Sequence, residues 1–298
     1  HKEYRRQRQM CIRDSLNPFG RQEKLSHFAI GGVVLTIPEL RLKKQQKQKI
    51  TMLTCYDATF AAVIDEAGID IVLVGDSLGM TIEGHDSTVS VTLETMCYHT
   101  AIVKRKITNA LIVADLPFGS YEESREKAYH SAVQLMKAGA NLVKLEGGEA
   151  CAPTVTFLQR RGIPVCGHIG LTPQSVNVLG GYQVQGKGEE NARRLLQDAI
   201  ALDEAGACLI VIECVPRDLS KKISEAINTP TIGIGAGPDT DGQVLVVYDL
   251  LGLYAKDHKP AKFVRNFLMG QQSIQKAILA YKQAVEEGSF PNDNYSFH

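Results

Sequence analysis

Five apolar runs in this chain each stop at a charged or polar residue. Val72-Leu73-Val74-Gly75 stops at Asp76-Ser77, and Leu111-Ile112-Val113-Ala114 stops at Asp115. Asn141-Leu142-Val143 stops at Lys144-Leu145-Glu146, Val165-Cys166-Gly167 at His168, and Leu209-Ile210-Val211-Ile212 at Glu213. A short β-branched run reads as a buried strand of a parallel sheet. Carboxylates at four such exits, with a lysine and a histidine beside them, point to a site at one end of a barrel. In a (β/α)8 barrel the C-terminal strand ends converge on a single mouth, and chemistry happens there.

The pattern between these runs supports that architecture. Strands are expected at Ile50–Tyr56, Ile69–Gly75, Ala110–Ala114, Leu142–Leu145, Pro164–His168, Cys208–Glu213 and Thr231–Gly235, with an eighth at Val244–Tyr248. Helical periodicity fills the gaps at Ala58–Ala67, Thr92–Lys104, Ser124–Ala138, Pro153–Arg161, Glu189–Ala205 and Leu219–Ile227. Three of these helices run into Gly68, Gly139 and Gly206, the residue type that supplies a left-handed C-cap. The alternation predicts an α/β chain of the TIM-barrel class. The gap from Gly235 to Val244 is too short for a helix, so an open doubly wound sheet remains as the alternative. Helical patterning in Lys259–Glu287 predicts a tail outside the barrel or against another subunit.

Residues 1–35 match nothing that follows. The stretch Arg5 to Ser15 resembles a translated sequencing adapter, and residues 1–35 are read as a non-native or disordered leader. A signal peptide is disfavoured because Pro38-Glu39 follows the apolar stretch ending at Leu35 where small residues would be needed. Residues 36–298 are then one catalytic barrel domain with a C-terminal helical tail. The basic stretch Arg41–Lys49 reads as a solvated helix end leading into the first strand.

Composition removes other classes. Lys plus Arg and Asp plus Glu are 33 each, so no net field draws nucleic acid or anionic lipid. No run reaches the length of a membrane span. Seven cysteines lack metal-ligand spacing. Cys55, Cys166, Cys208 and Cys214 fall in or beside strands, as small buried side chains in a reducing cytoplasm do.

The strand-end residues divide by chemistry. Asp76 or Asp115 alone reads as a helix cap or loop ion pair. Together they suit a hard divalent ion such as Mg²⁺, which takes one or two carboxylates and completes its shell with water and substrate oxygens. Lys144 and Glu146 are two apart on a strand and so share a face. Lys144 suits an anionic substrate group, and Glu146 suits the metal through water or an ion pair with Lys144. Glu213 lies in an apolar frame that would raise its pKa, as a general base near neutral pH requires. His168 reads as a supporting hydrogen-bonder. Gly233-Ile234-Gly235-Ala236-Gly237 lacks the full pattern of a phosphate loop and reads as close backbone approach. Gly79–Ser90 reads as a lid or a surface loop.

The same residues carry a resemblance. Thr54-Cys55-Tyr56-Asp57, Leu73 to Met80, Gly84-His85-Asp86-Ser87-Thr88, Ala114 to Phe118, Val143 to Gly148, Gly167 to Ser175, Gly180-Gly181-Tyr182, Ile212 to Pro216 and Gly233 to Gly237 resemble the ketopantoate hydroxymethyltransferase family. The likeness runs from about Lys49 to His298. It implies a barrel of the phosphoenolpyruvate/pyruvate type. It implies Mg²⁺-dependent transfer of a hydroxymethyl group from 5,10-methylenetetrahydrofolate to 3-methyl-2-oxobutanoate, giving 2-dehydropantoate on the route to pantothenate. By resemblance Asp76 and Asp115 are metal ligands and Glu146 completes the metal site. Asp76, Ser77, Asp115 and Lys144 lie at the keto-acid substrate, and Glu213 is the proton acceptor. The resemblance also implies a cytoplasmic homodecamer. Two rivals remain: another Mg²⁺-dependent C–C lyase or phosphonate mutase of the same superfamily, or a non-catalytic barrel scaffold.

Overall fold

The computed structural model describes residues 35–254 and 259–298. Of the leader expected over residues 1–35, all but Leu35 lies outside the described residues. The first helix, α1, spans Ile37–Gln45 and opens on a capping box in which Thr36 and Glu39 satisfy each other. Strand β1 (Ile50–Thr54) leads to α2 (Ala58–Glu66), capped by the Asp57 carboxylate on Thr59 N and Phe60 N. The chain continues as β2 (Ile71–Val74), α3 (Leu93–Lys104), β3 (Leu111–Asp115) and α4 (Arg125–Ala138). Then come β4 (Leu142–Glu146), α5 (Ala152–Gln159), β5 (Val165–Gly170), α6 (Glu189–Glu204), β6 (Leu209–Glu213) and α7 (Arg217–Ala226). Strands β7 (Thr231–Ile234) and β8 (Gly242–Leu245) follow with no helix between them, and α8 (Ile274–Glu286) closes the series. All neighbouring strands pair in parallel, and β8 returns to β1. The barrel is therefore closed, and the open-sheet alternative falls.

Alternation along the strands builds two cores. Ile50, Met52, Ile71, Leu73, Leu111, Val113, Leu209 and Val211 fill the interior, and the intervening Leu53, Val72, Val74, Ile112 and Ala114 face the helices. Leu40 of α1 is fully buried with the interior set. Gly139 bears out its expected C-cap, with φ at 120°. A Cβ there would also come within 2.5 Å of the Lys104 side chain.

Two expectations need correction. The eighth strand is Gly242–Leu245, not Val244–Tyr248. Gly242 and Gln243 hide it from hydrophobic patterning. Gly242 is needed because a Cβ would meet the Ile50 carbonyl oxygen at 2.2 Å. Val247 already begins a short helix and donates its N–H to Thr54 Oγ1 at 2.9 Å. The tail helix α8 lies outside the barrel strands, as one of the two readings of the tail expected: the Tyr281 hydroxyl stands 2.9 Å from the carbonyls of both Met52 and Gln243. The Arg41–Lys49 stretch is not simply solvated. Lys43 pairs with Asp70 at 2.6 Å, Lys44 with Asp241 at 2.8 Å, and Lys49 donates to the Pro238 and Thr240 carbonyls. These lysines bind α1 and the start of β1 to the loops at the N-terminal end of the barrel.

Candidate active site

The strand-end residues meet inside the opposite end of the barrel. Interior positions alternate as Leu111, Val113, Asp115 on β3 and as Leu142, Lys144, Glu146 on β4, so the apolar filling gives way to charge at the mouth. The register sets Asp115 beside Lys144, Glu146 beside His168, and Gly170 beside Glu213. Asp76 and Ser77 lie just beyond β2. The Asp76 N–H donates to Asp115 Oδ2 at 3.0 Å. Gly75 lets the chain turn this tightly, since a Cβ there would stand 2.9 Å from Ser77 Oγ.

A cavity of about 380 Å³ is lined by Asp76, Ser77, Asp115, Lys144, Glu146, His168 and Glu213, among others. Every predicted site residue is in it. Lys144 Nζ lies 3.0 Å from Asp115 Oδ1 and 3.8 Å from Glu146 Oε1. His168 stands between two carboxylates, with Nδ1 3.3 Å from Glu146 and Nε2 3.3 Å from Glu213. The frame around Glu213 is thus not purely apolar, because an imidazole faces it. Next in the chain, Cys214 has φ at 49°. Its N–H donates to the Ile234 carbonyl and its own carbonyl accepts from Gln185 N, each at 2.9 Å. These bonds hold a conformation costing about 1–3 kcal/mol and set the turn that follows Glu213.

Burial works on these charges in opposite directions. Burial and the neighbouring Asp115 push Asp76 well above the ordinary carboxylate range. Burial also opposes the charges on Lys144 and Glu146, but their partners outweigh it. Asp115, Glu146 and Asp76 raise Lys144, while His168, Lys144 and the Gln174 N–H lower Glu146. Burial and Lys144 press His168 down, yet the flanking Glu146 and Glu213 lift it to about 9. Lys144 is therefore held as an ammonium and His168 as an imidazolium beside the Glu146 carboxylate near neutral pH.

Some polar atoms in this site have no hydrogen-bond partner. Thr88 Oγ1, Asp115 Oδ1 and His168 Nε2 are buried without one, although the last two have charged neighbours within 3.3 Å. All three residues line the cavity. Such atoms are costly unless a ligand completes them. Among the described residues no three His, Cys, Asp or Glu side chains form a ready metal cage. The paired Asp76 and Asp115 instead fit an ion that keeps most of its shell for water and substrate.

Sequence reasoning missed four contributors. Gln174 and Tyr121 are buried beside the carboxylates, and Tyr121 O–H donates to Gln174 Oε1 at 2.6 Å. Tyr56 OH lies 2.8 Å from Ser77 Oγ, and His99 Nδ1 lies 2.6 Å from the Tyr56 carbonyl. No periodicity marks them, because they come from strand exits and a neighbouring helix. The Gly79–Ser90 stretch forms cavity wall through Met80 and Thr88, and Tyr182 O–H reaches Met80 Sδ at 3.6 Å. The glycine run after β7 is a close-approach turn, since a Cβ on Gly235 would meet Phe263 at 2.8 Å. The six described cysteines are unpaired. Burial raises the thiols of Cys55 and Cys166 to about 12 and of Cys151 to about 11, which leaves them poor nucleophiles.

Comparison with known proteins is consistent with this geometry. Among solved structures, a phosphonopyruvate hydrolase superposes with TM-score 0.55 at 13% identity, covering 72% of this chain and 83% of its own. A 2,3-dimethylmalate lyase superposes with TM-score 0.51 at 14% identity, covering 85% of this chain and 98% of its own. These show a shared barrel fold. The 3-methyl-2-oxobutanoate hydroxymethyltransferase of Neisseria gonorrhoeae is 54% identical over 264 residues, covering 89% of this chain and 99% of the relative. That of Thiobacillus denitrificans is 55% identical over 263 residues, covering 88% and 99%. The profile of the ketopantoate hydroxymethyltransferase family matches residues 34–293, a span that contains every strand of the barrel and every residue of the charged cavity. With barrel, site and sequence in agreement over that span, the chain belongs to the ketopantoate hydroxymethyltransferase family.

Proposed function

We propose that this chain transfers a hydroxymethyl group from 5,10-methylenetetrahydrofolate to 3-methyl-2-oxobutanoate, forming 2-dehydropantoate and tetrahydrofolate. The observation that carries the reading is the convergence of Asp76, Ser77, Asp115, Lys144, Glu146, His168 and Glu213 in one cavity of a chain from this family. Lys144, held as an ammonium, and Ser77, oriented by Tyr56, hold the substrate carboxylate. This directs C3 of the keto acid toward Glu213, whose side chain retains 16% exposure where Asp115, Lys144, Glu146 and His168 are almost fully buried. Glu213 accepts the C3 proton. His168, 3.3 Å away, steadies the carboxylate in that position. The resulting carbon nucleophile attacks the one-carbon unit of the folate; water then displaces the folate nitrogen from that carbon, giving the hydroxymethyl group, and the freed nitrogen takes up a proton as tetrahydrofolate leaves.

Asp76 and Asp115 would hold Mg²⁺, with Glu146 supporting it. Asp115 Oδ1, which accepts no hydrogen bond although Lys144 stands 3.0 Å away, and the buried cluster of Asp76, Asp115 and Glu146 fit a divalent cation. Bound there, the ion supplies Lewis-acid stabilisation of negative charge developing on the keto oxygen.

Deuterium exchange at C3 tests this reading. Protein with Mg²⁺ and 3-methyl-2-oxobutanoate in D₂O should exchange that proton without folate, and excess chelator should abolish the exchange. Absence of exchange with Mg²⁺ present would defeat the enzyme reading and favour the scaffold alternative. Aldol cleavage without folate would favour the lyase alternative.

Assembly and location complete the proposal. The cytoplasm suits the unpaired thiols, and among the described residues no helix is long and apolar enough to cross a membrane. A homodecamer suits the exposed apolar residues Tyr98 and Met269, at 65% and 80% exposure. Sedimentation equilibrium should then give ten times the 32.6 kDa protomer mass; a monomeric mass would refute the decamer.

A further inference from the structure

We infer that Gln174 is a positioning residue for the metal site, its amide fixing Asp76 while its main chain fixes Glu146. The inference rests on the proposed roles of those two carboxylates. Gln174 lies in a short 3₁₀ turn, Pro173–Ser175, beyond β5 and is 5% exposed. Its Nε2 donates to Asp76 Oδ2 at 2.8 Å and to the Leu116 carbonyl at 2.9 Å. Its Oε1 accepts from the Tyr121 hydroxyl at 2.6 Å, and its backbone N–H donates to Glu146 Oε2 at 3.0 Å. The Tyr121 oxygen in turn accepts from Glu146 N at 3.2 Å.

This network leaves the amide one orientation. The Leu116 carbonyl can only accept, so the nitrogen must face it. The second amide hydrogen then goes to Asp76, and the oxygen is left for Tyr121. Both donors and the acceptor are thereby used. An isolated aspartate carboxylate can rotate about its last torsion. Asp76 cannot do so without giving up the Gln174 donor, so its carboxyl group is held in one orientation at the cavity wall. Glutamate at this position would set a charge against Asp76, and an apolar side chain would leave Oδ2 and the Leu116 carbonyl without their donor. A neutral amide with two donors and one acceptor is the group these neighbours require. Outer groups that orient metal ligands are worth 10–100-fold in metal affinity.

The test is direct ion binding to chelator-stripped protein. Mg²⁺ is titrated by calorimetry and Mn²⁺ by the paramagnetic resonance signal of the free ion. Gln174→Met keeps length and the backbone N–H. It should weaken both ions by about 10–100-fold with the circular dichroism of the folded protein intact. Tyr121→Phe, which removes one hydroxyl, should weaken both ions by a smaller factor in the same direction. A residue with only a structural role would lower the melting temperature without moving ion affinity, and that result for Gln174→Met would overturn the inference. Should Gln174→Met fail to fold, wild-type ion affinity in Tyr121→Phe would overturn it as well. If the wild-type protein binds neither ion, the metal reading fails and the inference falls with it. Wild-type binding with an unaltered Gln174→Met defeats the inference alone.

Discussion

Glu213→Gln is expected to lose C3 exchange by about 10²–10⁴-fold, the usual worth of a positioned general base. Gln keeps the volume and polarity of the side chain at the exit of β6. It leaves Asp76, Asp115 and Lys144 untouched, because the charged neighbour of Glu213 in this site is His168, 3.3 Å away. Mg²⁺ and keto-acid affinities should therefore stay within about twofold of wild type, the pattern of an interaction used mainly in the transition state. Exchange followed by proton NMR, with calorimetric titration of the keto acid, separates the two effects. Undiminished exchange would place the base elsewhere.

Asp115→Ala is expected to cost metal and stability together. Asp115 accepts from the Asp76 N–H at 3.0 Å and pairs with Lys144 at 3.0 Å. Removing the carboxylate leaves a fully buried ammonium with less compensation, at a cost of about 3–5 kcal/mol. It also deletes one of two proposed ligand groups, so Mg²⁺ affinity should fall by more than about 100-fold, beyond the usual loss for an outer-shell change. Urea unfolding and Mg²⁺ calorimetry read these losses separately. Asp115→Asn retains an oxygen for Asp76 N and should recover part of the stability but little of the metal affinity. Wild-type Mg²⁺ affinity in Asp115→Ala would remove Asp115 from the metal site.

The legible part of the site is the part written in period two. Asp115, Lys144, Glu146, His168 and Glu213 sit at interior positions of consecutive strands, so a parallel barrel brings them together. Gln174 and Tyr121 were not legible. Gln174 meets Asp76 across 98 residues and Tyr121 across 53, and only closure of the barrel makes these loops neighbours. The eighth strand escaped for a local reason, because Gly242 and Gln243 answer to the crowding of β1 and to hydrogen bonding. Lys43, Lys44 and Lys49 read as solvated because sequence shows charge but not the distant carboxylates and carbonyls that receive it. His168 reads as a hydrogen-bonding support, and its place between two carboxylates depends on the β4–β5–β6 register, which sequence does not show.

The lysines of α1 also impose an order on biosynthesis. Lys44 finds its acceptors at Ser224, Thr229 and Asp241, which lie 180, 185 and 197 residues further along the chain. At about 5–20 residues per second these partners leave the ribosome roughly 10–40 s after α1 does. Until then Leu40 has no closed ring to enter, since β1 needs β8 as its second neighbour. The earliest described helix is thus among the last to dock. The nascent chain must carry it undocked through most of translation, and its basic, polar face keeps that waiting segment soluble.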